Sequence, residues 1–117
     1  MLHVGTDIIE IARINNAIDK LGDGFLNRIY TSQELEFFRL KPPSLAARFA
    51  GKEAVFKALD SEVLYFKEIE ILTDSKGRPV VNLYGKTKEY ADSMGIKEID
   101  LSLSHTREYA VACAVCQ

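Results

Sequence analysis

Hydrophobic and polar positions follow changing periods along this chain, and each period predicts a different element. From Leu45 to Leu59 the period is helical: at about 100° per residue, Leu45, Phe49, Val55, Phe56 and Leu59 fall in one sector roughly 120° wide. Ala46, Ala47, Ala50, Gly51, Ala54 and Ala58 take the other side, small enough for another element to approach closely. Ser44, following Pro42-Pro43, suits an N-cap and predicts a helix entering at Leu45. No broad polar face is left, so a long, buried central helix is expected. Yet it carries Arg48, Lys52, Glu53 and Lys57, the first two within the bulky stripe and the others at its edge. Glu53 and Lys57 stand at the i, i+4 spacing of an ordinary helix ion pair worth roughly 0.2–0.5 kcal/mol, and long cationic stems can lie over apolar surface. Unpaired burial of charge costs several kcal/mol. Three cations against one carboxylate leave a positive surplus that asks for an anion.

The other segments organise around that helix. Leu2 to Ile11 begins strand-like and passes into a helical pattern through Ile11, Ile14, Ile18 and Leu21, which places Asp7 at a strand-to-helix junction. There it could reach the mouth of a cleft; taken alone it would serve as a plain helix cap. Arg13, Asn16, Asp19 and Lys20 form the solvated face of that helix. Gly22-Asp-Gly24 breaks it, Phe25 to Tyr30 is a short apolar segment, and Thr31-Ser-Gln-Glu34 is a capping-box pattern opening a helix through Leu40. Past Leu59 the period changes to two. Lys67–Thr73 and Arg78–Tyr84 alternate around an Asp74-Ser-Lys-Gly77 turn, which predicts a β-hairpin. A short helix from Lys86 to Met94 follows, then a second strand pair, Glu98–Ser104 and Tyr109–Val115, joined through His105. The expected fold is α+β: an antiparallel sheet of β-hairpins packed against helices, the central one buried. Edge strands and an all-apolar helix in so small a chain are expected to be covered by self-association.

Composition narrows the function classes. At 117 residues, 47% hydrophobic and 27% charged, the chain is an ordinary globular one and is expected to form a single domain over 1–117. A net charge of −2 removes the global basic field of a sequence-indifferent nucleic-acid binder, so any positive patch is local. The start lacks the basic region and long apolar core of a secretory leader, and no run approaches a membrane span, so a cytoplasmic protein is expected. Cys113 and Cys116, in an apolar strand-like run without a second Cys/His pair, are expected to be core thiols.

The polar candidates are then Asp7, Arg48, Lys52, Glu53, Lys57 and His105. Two carboxylates can hold Mg²⁺, which takes one or two from protein and fills its octahedron with waters and phosphate oxygens. Nearby Lys and Arg would neutralise further phosphate charge. Gly51 and Gly85 are isolated, so no Gly-rich phosphate loop is present. A Mg²⁺–diphosphate site is the chemistry these residues fit best.

Gly5-Thr-Asp-Ile-Ile-Glu-Ile11, Arg48-Phe-Ala-Gly-Lys-Glu-Ala-Val-Phe-Lys-Ala-Leu59 and Leu101-Ser-Leu-Ser-His-Thr106 together resemble the signatures of the holo-acyl-carrier-protein synthases, the small bacterial-type 4′-phosphopantetheinyl transferases. The likeness spans nearly the whole chain, in order. It implies transfer of 4′-phosphopantetheine from coenzyme A to a serine of apo acyl carrier protein, releasing adenosine 3′,5′-bisphosphate, in support of fatty acid biosynthesis. By position it implies that Asp7 and Glu53 hold Mg²⁺, that Lys57 is catalytic with them, and that Lys57, His105 and Arg48 contact coenzyme A. Arg13, with Lys20 and Arg28, would supply a basic docking surface for an acidic carrier. The family also implies a homotrimer with each site between two subunits. The acceptor of the serine proton stays open between a carboxylate and a water.

One departure stands out. Asp60-Ser-Glu-Val-Leu-Tyr-Phe-Lys67 is shorter than the glycine-rich loop common in relatives and has no glycine, which bears on its contacts to coenzyme A. Two other readings use the same residues. A non-catalytic module would bind coenzyme A or carrier without forming product, and a Mg²⁺-dependent phosphohydrolase would release phosphopantetheine without a carrier.

Overall fold

The computed structural model describes Met1–Gln117. The chain opens with strand β1 (His3–Glu10), then helices α1 (Ile11–Leu21), α2 (Asp23–Ile29), α3 (Ser32–Phe38) and α4 (Pro42–Leu59). A single 3-10 turn at Phe66–Glu68 leads into β2 (Ile69–Thr73) and β3 (Pro79–Leu83). Helix α5 (Gly85–Ser93) and strands β4 (Ile99–His105) and β5 (Tyr109–Cys116) complete it.

The α+β expectation holds, with the strands divided between two antiparallel sheets rather than one. A three-stranded sheet runs β1-β5-β4, and β2 pairs only with β3. The β2–β3 hairpin pairs Ile69 with Leu83 and Thr73 with Pro79. Its turn is held by Asp74, whose Oδ1 accepts from the backbone N–H groups of Lys76 at 2.8 Å and Arg78 at 2.9 Å.

Helix α4 lies across β1, β5, β4 and β2 and touches α1. Most of its residues are buried, on both the bulky and the small side. It begins three residues earlier than the Ser44 cap predicts, with Lys41 as the N-cap and Pro42 and Pro43 in the first turn. Proline there loses nothing, because the first N–H groups of a helix have no partner within it. The helix ends at Asp60, which adopts a left-handed conformation (φ 54°).

Close approach explains the small side of α4. Ala110, Ala112 and Ala114 of β5 are fully or almost fully buried, as are Ala50, Ala54 and Ala58 of the helix. Gly5 of β1 is tighter still: a Cβ at this position would lie 2.1 Å from the Ala54 carbonyl oxygen and 2.6 Å from the Ala58 nitrogen. Only hydrogen fits between β1 and α4, so Gly5 sets the distance at which residues on the two elements face each other.

The remaining differences from expectation are local. Phe25–Tyr30 lies mostly in helix α2, which buries Leu26 and Ile29. The capping box forms as predicted: Thr31 Oγ1 accepts from the Glu34 N–H at 3.2 Å, and Glu34 Oε1 accepts from the Thr31 N–H at 2.9 Å. Cys116 is buried, and burial pushes its thiol up. Cys113, three residues earlier on an alternating strand, faces the other side of the sheet and is only half-buried, so the core-thiol reading applies to Cys116 alone.

Candidate active site

Asp7 lies inside β1, opposite Ala112 of β5, and the strand continues to Glu10. The expected junction therefore falls three residues late. The period of two decides where Asp7 points: it shares the helix-facing side with Gly5 and Ile9, while Val4, Thr6 and Ile8 face outward. A carboxylate is thereby turned toward α4 from mid-strand, with 13% of its side chain exposed.

The helix answers with Glu53 and Lys57, one turn apart. Lys57 Nζ donates to Asp7 Oδ1 at 3.0 Å and to the Thr6 carbonyl at 3.0 Å. Burial holds the half-buried Glu53 carboxyl above its ordinary range, and the negative charge of Asp7 adds to this. The charge of Lys57 pulls it down, a hydrogen bond with Asp7 favours the protonated form, and the charge of Arg13 opposes that. Asp7 and Glu53 thus converge across the β1–α4 contact, with Arg13 of α1 close enough to be felt. A carboxylate whose ionisation is opposed by burial and a neighbouring carboxylate suits a hard divalent cation. Two oxygen donors from protein leave room for water and phosphate oxygens, so the residues present fit Mg²⁺. Beside them Thr6, Asp7, Ile8, Lys57 and Val111 line a cavity of about 380 Å³.

Arg48 and His105 do not join this group. From Arg48 to Lys57 the helix rises about 13 Å and turns to its opposite side. Arg48 is buried on the β2 side, donating from Nε to the Ile71 carbonyl at 3.1 Å and from Nη2 to Thr73 Oγ1 at 2.7 Å. Its guanidinium stacks 3.5 Å from the centre of the Phe38 ring. Burial pushes its pKa down to about 10, still charged at neutral pH. No carboxylate bonds it. Arg48, Ser44, Thr73, Gly77, Ser104 and His105 instead share the wall of a second cavity, about 290 Å³. An always-charged guanidinium, a histidine and hydroxyls around one hollow are groups that recognise phosphate. The contribution of the β2–β3 turn to this hollow was not predicted. Alternation identifies a hairpin but not what its turn folds against.

Lys52, the remaining cation of the surplus, is satisfied internally. It is fully buried, with Nζ 2.8 Å from Glu34 Oε1, 2.9 Å from the Phe66 carbonyl and 2.6 Å from the Ile69 carbonyl. Glu34 also accepts the Ile71 N–H at 2.7 Å. One carboxylate therefore caps α3, neutralises α4 and holds β2. Lys20 and Arg28 are exposed on the same run of helices as Arg13.

The outer face of the three-stranded sheet is open, and its β1–β5 part is largely apolar. Val4 and Ile8 of β1 are 65% and 62% exposed, and Val111 and Tyr109 of β5 41% and 42%. Val4 pairs with Val115, Ile8 with Val111 and Thr6 with Cys113, which makes the patch continuous across the strands. Ile8 and Val111 are also walls of the Asp7–Lys57 cavity.

The family model of the 4′-phosphopantetheinyl transferase superfamily matches residues 3–114. The chain belongs to this superfamily. Among curated transferases, it is 52% identical to the holo-[acyl-carrier-protein] synthase of Dehalococcoides mccartyi, over 100% of this chain and 99% of that protein. It is 46% identical to the one from a Thermoanaerobacter species, over 97% and 86%. Its backbone follows the holo-[acyl-carrier-protein] synthase of Neisseria meningitidis with a TM-score of 0.90 at 33% identity, covering 98% of this chain and 97% of that one. The Helicobacter pylori enzyme, solved in complex with coenzyme A, matches with a TM-score of 0.88 at 33% identity, covering 97% and 99%.

Proposed function

We propose that this transferase moves the 4′-phosphopantetheinyl group of coenzyme A onto a serine hydroxyl of apo acyl carrier protein and releases adenosine 3′,5′-bisphosphate. The observation that carries the reading is the convergence of Asp7, Glu53 and Lys57 across the Gly5 contact, in a chain of this superfamily. Asp7 and Glu53 are the residues that would hold Mg²⁺, which when bound offsets charge on the diphosphate. Lys57, half exposed on a flexible stem, reaches for the diphosphate and stabilises charge on the leaving phosphate. Arg48 and His105 take the phosphate at the nucleotide end of coenzyme A. Arg48 is held by Ile71 and Thr73 with its planar fork already aimed, so little of its freedom is lost on binding.

The reaction is an in-line exchange at the β-phosphorus. The serine oxygen forms the new phosphorus–oxygen bond, the bond to the bridging oxygen breaks, and the serine proton is lost to solvent or a base. The chain contributes placement and charge rather than a covalent intermediate. Arg13, with Lys20 and Arg28, offers the acidic carrier a positive strip despite the overall negative charge. Arg13 also lies near Glu53, so the docking strip leads to the reacting centre.

A homotrimer completes the reading. The two halves of the site lie on opposite sides of α4 within one chain, and the exposed apolar sheet face adjoins the Asp7 half. A neighbouring subunit seated on that face could bring its own Arg48 and His105 to the first subunit's Asp7, Glu53 and Lys57. The same reading includes work in the cytoplasm for fatty acid synthesis; no helix here is long and apolar enough to cross a membrane.

The deciding experiment is mass spectrometry of apo acyl carrier protein after incubation with this protein, coenzyme A and Mg²⁺. The carrier is expected to gain one phosphopantetheinyl group. An unchanged mass across several carriers would refute transfer, and free phosphopantetheine in their absence would mark a hydrolase.

A further inference from the structure

Before any ligand arrives, the charges around Asp7 are already balanced. Asp7 and Glu53 supply two negative groups, and Lys57 and Arg13 are the cations that act on Glu53. The exposure of the two bonded partners differs. The Asp7 carboxylate is 13% exposed on a strand paired along its length, whereas the Lys57 side chain is 50% exposed. Lys57 Nζ spends two of its three donors on this wall, one on Asp7 Oδ1 and one on the Thr6 carbonyl, both at 3.0 Å. The ammonium therefore stands where a cation held by Asp7 would exert its charge.

We propose that Lys57 is the resident counter-ion of Asp7, and that Lys57 and a divalent cation oppose each other there until a diphosphate draws the ammonium away. This inference rests on the transferase reading above and concerns the order in which its ligands are accepted. A dication added alone to a balanced set leaves an excess of positive charge, and a diphosphate added alone leaves an excess of negative charge. Added together they nearly cancel. In a partly buried site such charge excesses are weakly screened. Cation and coenzyme A are therefore coupled ligands, each raising the affinity for the other by the same factor. Lys57 is the movable part: it neutralises Asp7 in the free protein and the diphosphate in the loaded one.

The proposal predicts an effect of unusual sign, in which removing a lysine strengthens cation binding. Mn²⁺ binding to the full-length protein without coenzyme A, measured by the electron paramagnetic resonance of free Mn²⁺, should be about tenfold tighter in Lys57→Gln than in the unaltered protein. Lys57→Arg keeps the charge and should bind Mn²⁺ like the unaltered protein. Saturating coenzyme A should tighten Mn²⁺ binding strongly in the unaltered protein and far less in Lys57→Gln. Circular dichroism would confirm folding, and Lys57→Met replaces Lys57→Gln if the amide perturbs the strand. Equal or weaker Mn²⁺ binding in the neutral variants, with phosphopantetheine transfer intact in the unaltered protein, would overturn this inference alone. Absence of Mn²⁺ binding from every variant, with or without coenzyme A, would overturn it together with the metal-dependent reading.

Discussion

Glu53 illustrates how a candidate site residue works against the fold that holds it. Its carboxyl is kept above the ordinary value of 4.5 by burial first and then by Asp7. The folded state therefore binds a proton more readily than the unfolded chain. Stability falls as pH rises from about 4.5 through the raised folded-state pKa. Glu53→Gln should therefore raise the melting temperature at pH 7 while leaving it nearly unchanged well below pH 4.5. On the proposed reading the same substitution should lower transfer by about a hundredfold or more, because a metal ligand and a charge acting in the transition state would both be lost. Thermal melts across pH, beside the carrier mass assay, check both halves. A destabilised variant at neutral pH would mean that the two carboxylates do not oppose each other. Adding Mg²⁺ in the presence of coenzyme A should raise the melting temperature of the unaltered protein beyond the effect of coenzyme A alone and should not do so for Glu53→Gln, since a ligand of the folded state stabilises only the protein that binds it.

The Asp7–Glu53 encounter depends on two elements packing without side chains between them. Gly5→Ala forces a methyl group against the backbone of α4, which cannot yield as a side-chain tip would. The variant should lose roughly 1–3 kcal/mol by overpacking, and transfer should fall further than stability does as β1 and α4 separate. Denaturant unfolding beside turnover reveals whether the two losses part company. A buried ion pair fixes the other side of α4. Lys52→Met leaves Glu34 buried without its counter-charge and should cost about 3–5 kcal/mol. Lys52→Met combined with Glu34→Gln should recover part of that loss in the same unfolding measurement, since the stranded charge is removed. Periodicity made most of these elements legible: α4, both hairpins and the capping box were visible because each is a local pattern. The partner of Lys52 was not, because Glu34 reads as a complete local motif with Thr31, and nothing nearby in the chain signals its second use. The same limit hid the true setting of Asp7. A strand that runs on into a helix without glycine or proline leaves no local mark at the boundary, and the apolar residues Ile8, Ile9 and Ile11 satisfy both periods.

For the whole molecule, the decisive feature is the division of the candidate site residues between two cavities. Asp7 and Lys57 line the hollow beside the open sheet face, with Glu53 close to Asp7, and Arg48 and His105 line the one under the β2–β3 turn. The helical period already sets Arg48 and Lys57 on opposite sides of α4, but nothing in the motifs says that Asp7 meets Lys57 and that His105 joins Arg48. A site shared between neighbouring subunits makes a prediction that a site within one chain cannot. Consider one variant with Asp7→Asn and Glu53→Gln and another with Arg48→Gln and His105→Ala, each inactive alone. Unfolded together in equal amounts and refolded, they would assort at random in a closed ring. A shared site is intact when the first half comes from the second variant and its neighbour is the first variant. About a quarter of sites would meet that condition under random assortment. Transfer should therefore return to about a quarter of the unaltered rate on mixing, and Ile8→Lys in both variants should abolish the recovery by charging the apolar face. No recovery from a mixture that sedimentation shows to be assembled would place both lesions in the same chain's site and refute the shared arrangement.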